Sequence, residues 1–370
     1  MIPSLQTGSP SSPPSAQAWL EAVQAGVDRL LAEALELPDE RGLDGRWSAA
    51  TQQLREYVLR PAKRVRPALL LAGYALGSGG APAPEGVWRF ASALELLHTF
   101  MLVHDDVADE ASVRRGGPAL HQVWAQGQRK VGEDLAVVGG DHLFALAVEQ
   151  LLSCGMPGAA RATRSYLAVC RHTAAGQYLD IDLARAPLAE VSLWQTLKVA
   201  TLKTARYGFS APLQCGVMLA AGARPGAAEK ALWQPLERAG ARLGVAFQLR
   251  DDVIGLFGDA KVTGKPTDSD FLQGRRTFPL VAAWTRASAA DRAALEQLWD
   301  LPRAQKTDEA LAAARSLVER TGGLEATRRV IDRATRGAER ALESLPLESG
   351  AEPTRAQLRA LLGMLARRAA

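Results

Sequence analysis

Cysteine is scarce in this chain: Cys154, Cys170 and Cys215 are its three copies among 370 residues. An odd count without metal-type spacing argues against a disulfide framework and against a zinc site, and fits a reducing cytoplasm. Aromatic residues are also few, at 6%. Alternating runs of β-branched residues are missing, which argues against a sheet-based core. No stretch approaches the ~20 apolar residues of a membrane span. The N-terminus lacks a basic region followed by an apolar core, so no secretion signal is expected. The formal charge is only +4 and its basic residues are scattered, too little to argue for a nucleic-acid partner. A glycine-rich phosphate loop is absent as well, since Gly258 to Lys265 does not match one.

What the chain has in abundance is helix. From Ala18 onward Ala, Leu, Glu and Arg dominate, with apolar residues at helical spacing. Residues 1–16 are rich in Ser and Pro and are expected to be disordered. Residues 17–370 are expected to form a single all-α domain. Gly77-Ser78-Gly79-Gly80, Gly116-Gly117-Pro118 and the stretch from Gly222 to Pro225 punctuate the helices.

Two aspartate clusters stand out. Asp105-Asp106-Val107-Ala108-Asp109 closes an apolar helical stretch that begins near Glu85. Asp251-Asp252-Val253-Ile254-Gly255, with Gly258-Asp259 after it, closes another. A helix C-terminus already carries partial negative charge, so carboxylates gathered there call for a cation. On the first helix the stripe through Leu94, Leu97 or His98, and Met101 continues into Asp105 and Asp109, at three- and four-residue spacing. Gly244, Gln248, Asp251 and Gly255 repeat this arrangement on the second. Carboxylates on an inward face are costly unless paired or bound to metal. Magnesium suits them, because it takes one or two carboxylates and completes its shell with phosphate oxygens. Basic groups lie close by in sequence: Lys63-Arg64-Val65-Arg66-Pro67, Arg114-Arg115-Gly116, and Lys203-Thr204 within an apolar run. Together these features point to magnesium ions carrying a diphosphate.

The ordered motifs resemble those of the all-trans isoprenyl (polyprenyl) diphosphate synthase family, and most of all its bacterial geranylgeranyl diphosphate synthases. The resemblance runs from about Arg60 to Leu280. It comprises Lys-Arg-x-Arg-Pro, Glu-x-x-His, Asp-Asp-x-x-Asp with Arg-Arg-Gly, Gly-Asp-x-Leu, Gly-Gln-x-x-Asp, Lys-Thr-Ala, Phe-Gln-x-x-Asp-Asp, and Gly-Lys-Pro leading into Gly-Arg-Arg-Thr-x-Pro-Leu. It implies an all-α helical bundle around a deep central cavity, in a homodimer. It implies a prenyltransferase that condenses isopentenyl diphosphate with an allylic diphosphate. About three magnesium ions per site are implied with substrate bound, held by Asp105, Asp109 and Asp251. Asp106 and Asp252 would act through water or neighbouring hydrogen bonds. Arg114, Lys203 and Lys265 would hold the allylic diphosphate; Lys63, Arg66, His98 and Arg115 would hold isopentenyl diphosphate. Thr204 and Gln248 would turn oxygen dipoles toward the developing allylic cation. Gln177 and Asp180 would either support the metal site or simply join two helices.

The match departs from the family pattern in three places. Gly255 stands where many members carry a third aspartate, Pro61-Ala62 replaces glycines, and Arg275 stands where a lysine is common. Other readings are a terpene cyclase of the same fold, which needs no second diphosphate pocket, and a non-catalytic partner subunit, which would be expected to lose aspartates. Product length is read from Phe100 and Met101, five and four positions before Asp105. One helical turn spans ~5.4 Å, about one prenyl unit, so a bulky residue there would floor the cavity. In the resembling family an aromatic at that position accompanies geranylgeranyl synthesis; farnesyl or longer products are the alternatives. Replacing Phe100 by Ala should therefore lengthen the products separated by chromatography, and an unchanged distribution would remove Phe100 from the floor.

Overall fold

A computed structural model of the chain describes residues 15–37, 40, 42–258 and 268–366. The segment expected to be disordered lies almost wholly outside these residues, as do Asp259 and Lys265. The first helix begins at Ala16, with the Ser15 side chain accepting from the backbone of Ala18. In order, the helices are α1 (Ala16–Ala34), α2 (Gly45–Leu59), α3 (Val65–Gly77), α4 (Glu85–Ala108), α5 (Leu120–Ala125), α6 (Arg129–Ser153), α7 (Ala159–Leu183) and α8 (Leu193–Val199). A π-helical segment, Ala200–Ser210, leads into α9 (Ala211–Ala221) and α10 (Ala227–Phe257). Then come α11 (Ser269–Leu272), α12 (Phe278–Arg286), α13 (Ala289–Trp299), α14 (Asp308–Arg320), α15 (Gly323–Glu343) and α16 (Glu352–Ala366). The glycine breakers act where expected: α3 stops at Gly77 before positive-φ Gly79 and Gly80, and α9 stops before Gly222.

The architecture is all-α. Among the described residues its one extended feature is a minimal hairpin, β1 (Val113–Arg114) and β2 (Gly117–Pro118), paired antiparallel. Its two-residue loop, Arg115 (φ 51°) and Gly116 (φ 75°), has positive φ at both positions, as type I′ turns require. Successive arginines therefore leave the ribbon in different directions.

Helix α4 runs through the main apolar core and packs on α6, while α3 packs on α9. Helix α10 packs on α15 and on the π segment, which also lies against α7. Two glycines permit these close crossings. A Cβ on Gly176 of α7 would stand 2.5 Å from the backbone nitrogen of Lys203, and one on Gly244 of α10 would stand 2.3 Å from Ala205 Cα. The π segment is thereby clasped between α7 and α10. Isolated π turns concentrate at functional sites, and this one carries Lys203 and Thr204.

The expectation that no stretch resembles a membrane span needs correcting. Helix α6 has the length and hydropathy of one, because charges are sparse over much of its course and small residues fill its centre. Those small residues are what pack it inward: Gly132, Ala136, Gly139, Gly140 and Ala147 are buried. Helices α13 and α14, beyond the last of the motifs, form a smaller core with α12 and Phe271. They also pin the segment between α11 and α12: Trp299 Nε1 donates to the Arg275 carbonyl (3.2 Å), Lys306 Nζ to the Phe271 carbonyl (2.6 Å), and Arg276 pairs with Asp300 (2.7 Å).

Because both walls of the π segment are backbone, Gly244→Ala should overpack this crossing. A loss of about 1–3 kcal/mol is expected in urea unfolding, and wild-type stability would contradict the clasp.

Candidate active site

The acidic wall is built by the periodicity of α4. Residues 105 and 109 are one turn apart and share a face, while 106 points elsewhere. Asp105 Oδ1 accepts from Gln177 Nε2 (2.7 Å) and lies 3.8 Å from Lys203 Nζ. Asp109, the C-cap of α4, pairs with Arg275 and lines a cavity of about 410 Å³. Asp106 is buried; it accepts from the Tyr57 hydroxyl (2.9 Å) and from Arg114 Nε (2.7 Å). Asp109 thus lines the site, Asp105 meets Gln177 and Lys203 beside it, and Asp106 braces Arg114, which also lines the cavity.

The facing wall comes from α7, α10 and α11. On α10, Gln248 Oε1 accepts from Thr204 Oγ1 (2.5 Å), and Gln248 Nε2 donates to Asp252 Oδ1 (2.9 Å). Asp252 is buried and lines the cavity, whereas Asp251 is half-buried and next to Arg250. Asp180 of α7 accepts from Lys203 Nζ (2.8 Å) and Arg275 Nη1 (2.7 Å). Asp270 of α11 completes the wall and packs against Gly255, where a Cβ would come within 2.5 Å of its Oδ2. The space left empty by the missing third aspartate of the second motif is therefore filled by a carboxylate from another element.

This crowding shifts the acids. Burial, then Asp105, pushes Asp109 up to about 6; burial, then Asp180, pushes Asp270 up to about 7. Burial and then Asp270 hold Asp252 well above the usual carboxylate range. For Asp180, burial is outweighed by Lys203 and Arg275, which keep it below that range. The cavity is lined by six carboxylates, Asp109, Glu110, Asp180, Asp252, Asp268 and Asp270, and by five cations, Arg114, Lys203, Arg275, Arg276 and Arg303, and its oxygen donors suit a hard divalent ion. Among the described residues no three such groups stand close enough to hold an ion by themselves, so phosphate oxygens and water would complete its shell.

A second site of opposite character lies behind the hairpin. Arg115 Nη2 donates to Glu95 Oε1 (2.7 Å), and so does Arg64 Nη1 (2.8 Å). Arg64, fully buried at φ 46°, also binds Asp28 (2.8 Å) and the Val58 carbonyl (3.1 Å). Arg66 lays its guanidinium over the Tyr207 ring, 4.9 Å from the centroid. Lys63 is exposed at the start of this motif. Burial acts to raise Glu95, but Arg115, Arg64 and Arg66 pull it below its ordinary value. Burial, then Arg66 and Arg115, keeps His98 neutral. Among the described residues, Arg66 Nε, Arg115 Nη1 and His98 Nδ1 are buried without a hydrogen-bond partner. Unpartnered buried donors are costly, and here they lie in a net positive cluster whose chemistry suits an anion.

Phe100 is half-buried and its ring packs on His104 (4.8 Å) and Phe144 of α6 (5.3 Å); Met101 is half-buried against the same core. Gln177 and Asp180, left between two readings by sequence, both reach the acidic site. Asp270 and Tyr57 were missed: Asp270 lies in a segment without periodicity, and Tyr57 is one apolar residue of a helix far away in sequence. Arg275 was noticed only as a departure, yet it bridges α4 and α7 through Asp109 and Asp180.

Comparison with known proteins agrees with this geometry. The polyprenyl synthetase family model matches residues 48–318. Geranylgeranyl diphosphate synthase of Mycobacterium tuberculosis is 36% identical over 284 residues, covering 76% of this chain and 74% of that protein. The (2E,6E)-farnesyl diphosphate synthase of the same organism is 34% identical over 263 residues, covering 70% and 68%. The crystal structure of geranylgeranyl pyrophosphate synthase from Corynebacterium glutamicum, complexed with isoprenyl diphosphate and magnesium, superposes with a TM-score of 0.84 at 28% identity, covering 96% of this chain and all of that one. The chain belongs to the polyprenyl synthetase family and is a trans-prenyltransferase.

Proposed function

We propose that this enzyme is a magnesium-dependent synthase that extends allylic diphosphates with isopentenyl diphosphate, ending at the twenty-carbon geranylgeranyl diphosphate. The observation that carries the reading is the pair of pockets of opposite charge on either side of one hairpin. An acidic pocket suits a diphosphate that arrives with metal; a basic pocket with unused donors suits a diphosphate that arrives without. A cyclase of the same fold would have no use for the second.

Asp105, Asp109 and the α10 carboxylates would hold magnesium, which when bound neutralises the charge that grows on the departing diphosphate. Arg114, fixed by Asp106 and Tyr57, and Lys203, fixed by Asp180, point their charges at the same leaving group. Burial tends to lower Lys203, but Asp180 and Asp105 raise it, so it stays protonated for this role. The Thr204 hydroxyl donates to Gln248, which orients oxygen lone pairs beside the carbon that becomes cationic. The basic pocket holds isopentenyl diphosphate so that its double bond faces that carbon. Phe100 and Met101 limit the chain, residues 17–370 act as one catalytic domain, and Lys265 adds a further charge. The exposed apolar residues Val131, Leu135 and Val138 of α6 recur on one face with Tyr178 and Ile181 exposed on α7, and a second copy would cover them in a homodimer. A cytoplasmic setting completes the reading.

Incubating the protein with magnesium, isopentenyl diphosphate and farnesyl diphosphate should give geranylgeranyl diphosphate; failure to elongate any allylic primer contradicts the proposal. Asp105→Asn or Asp109→Asn should cut kcat by at least a hundredfold, on the order of 3 kcal/mol. The pH dependence follows from the raised carboxylates. Asp109 and Asp270 are protonated more readily in the fold than in the open chain, so their contribution to stability is present at low pH and is lost as pH rises through 6 to 7. Without metal, the thermal midpoint should fall from pH 5 to pH 8. Affinity for manganese, read from its free-ion EPR signal, should rise over that range, because binding displaces those protons. An affinity that falls with pH would contradict the acidic pocket as the metal site.

A further inference from the structure

One polar group in the basic pocket is left over after every proposed role has been assigned. Tyr207 lies on the π segment, one turn beyond Lys203, and is 2% exposed. Its hydroxyl is buried and has no hydrogen-bond partner among the described residues. The neighbouring Tyr166 hydroxyl donates to the Tyr207 carbonyl (3.3 Å). A buried hydroxyl with nothing to bind costs roughly 1–3 kcal/mol, and a valine- or leucine-like side chain would avoid that cost. The ring is meanwhile fully engaged. Arg66 covers one face at 4.9 Å, His98 sits 6.2 Å away, and Tyr166 sits 5.5 Å away.

Three other groups near Glu95 share this hydroxyl's condition. Arg66 Nε, His98 Nδ1 and Arg115 Nη1 are also buried and unpartnered among the described residues. Four unused polar atoms in one place are hard to explain as packing accidents, since most buried polar groups are satisfied. Three of the four belong to residues assigned to isopentenyl diphosphate; the fourth belongs to none. Burial raises the phenol above its ordinary value more strongly than Arg66 lowers it. It therefore keeps its proton and meets an anion as a donor.

We infer that Tyr207 is a substrate-binding residue of the basic pocket: its hydroxyl donates to a diphosphate oxygen of isopentenyl diphosphate, and its ring holds Arg66 in line with the same group. The inference rests on the assignment of that pocket to isopentenyl diphosphate. It also gives the π segment a second task. One face of it serves the allylic diphosphate through Lys203, and a turn later it serves the other substrate through Tyr207. The relative placement of the two substrates would then be set by a single rigid backbone unit, clasped by Gly176 and Gly244.

Tyr207→Phe removes the hydroxyl and leaves the ring, so Arg66 keeps its platform. Loss of a hydrogen bond to a charged group should raise KM for isopentenyl diphosphate about tenfold, with KM for the allylic primer unmoved. Calorimetric titration of isopentenyl diphosphate into primer-free enzyme should show the same weakening. Tyr207→Leu should weaken binding further, because Arg66 loses its aromatic support. Arg66→Gln is the control for the pocket itself. If Arg66→Gln raises KM for isopentenyl diphosphate and Tyr207→Phe does not, Tyr207 has no part in binding. If neither changes it, the pocket assignment fails as well. Equal losses for both substrates in Tyr207→Phe would mark a structural role and overturn the inference. A measurement on the unaltered enzyme covers a variant that does not fold. With tyrosine labelled at Cζ by carbon-13, one of the five tyrosine resonances should shift on adding isopentenyl diphosphate, and five unmoved resonances would overturn the inference.

Discussion

The structure depends on an excess of carboxylates held in a small, largely buried cavity. Asp109, Asp180, Asp252 and Asp270 converge there from four helices; Lys203 and Arg275 pair with Asp180 and Asp109, and Arg114, Arg276 and Arg303 also line the cavity. Two like charges ~4 Å apart repel by about 4 kcal/mol at an effective dielectric of 20. That is a sizeable part of the 5–15 kcal/mol by which a typical domain is stable. The protein answers partly by keeping protons on the acids and partly by the Arg275 bridge between α4 and α7. The rest of the imbalance is a standing demand for a cation. A metal-loaded diphosphate would meet it with the right charge and the right oxygen ligands.

The basic pocket is the complement of this arrangement. Glu95 and, through Arg64, Asp28 neutralise part of the charge of Arg64, Arg66 and Arg115, and several donors there remain unspent among the described residues. The two pockets meet at the Arg114-Arg115 hairpin. Its type I′ loop sends one arginine to Asp106 and the cavity and the next to Glu95 and the second pocket. A reaction between two diphosphates must bring two strongly repelling anions within bonding distance at their carbon ends. Binding one through metal and the other through arginines allows that, and the hairpin and π segment tie the two environments to one frame. Strain at Arg115 and Arg64, both at positive φ, fits a local geometry fixed by the site rather than by backbone preference.

Much of this was legible in the sequence because helices write their faces at regular spacing. The α4 stripe placed Asp105 and Asp109 together and set Asp106 apart, as the structure has it. The helical class, the glycine stops and the basic motifs were readable for the same reason. What escaped has common physical causes. Asp270 and Arg275 lie in a short irregular stretch, where spacing carries no facing information, and only tertiary packing brings them to α4 and α10. On α10 the stripe through Gly244, Gln248 and Asp251 is one reading of the helical face; Asp252, one turn beyond Gln248, lines the cavity. Tyr207 carries no spacing signal, and only its buried hydroxyl in the fold sets it apart. The helices after Ala287 carried no motif, yet through Trp299, Asp300 and Lys306 they hold the segment that delivers Arg275.

The central claim is that the carboxylates of α4 and α10 together receive a metal-bound diphosphate. Crystals grown with manganese and an unreactive thiolated allylic diphosphate would test it directly through anomalous scattering. The account predicts manganese peaks bridging the diphosphate to Asp105 and Asp109 on one side and to the α10 carboxylates on the other. A diphosphate bound in the acidic cavity with no manganese beside it, or manganese sites remote from both walls, would contradict it.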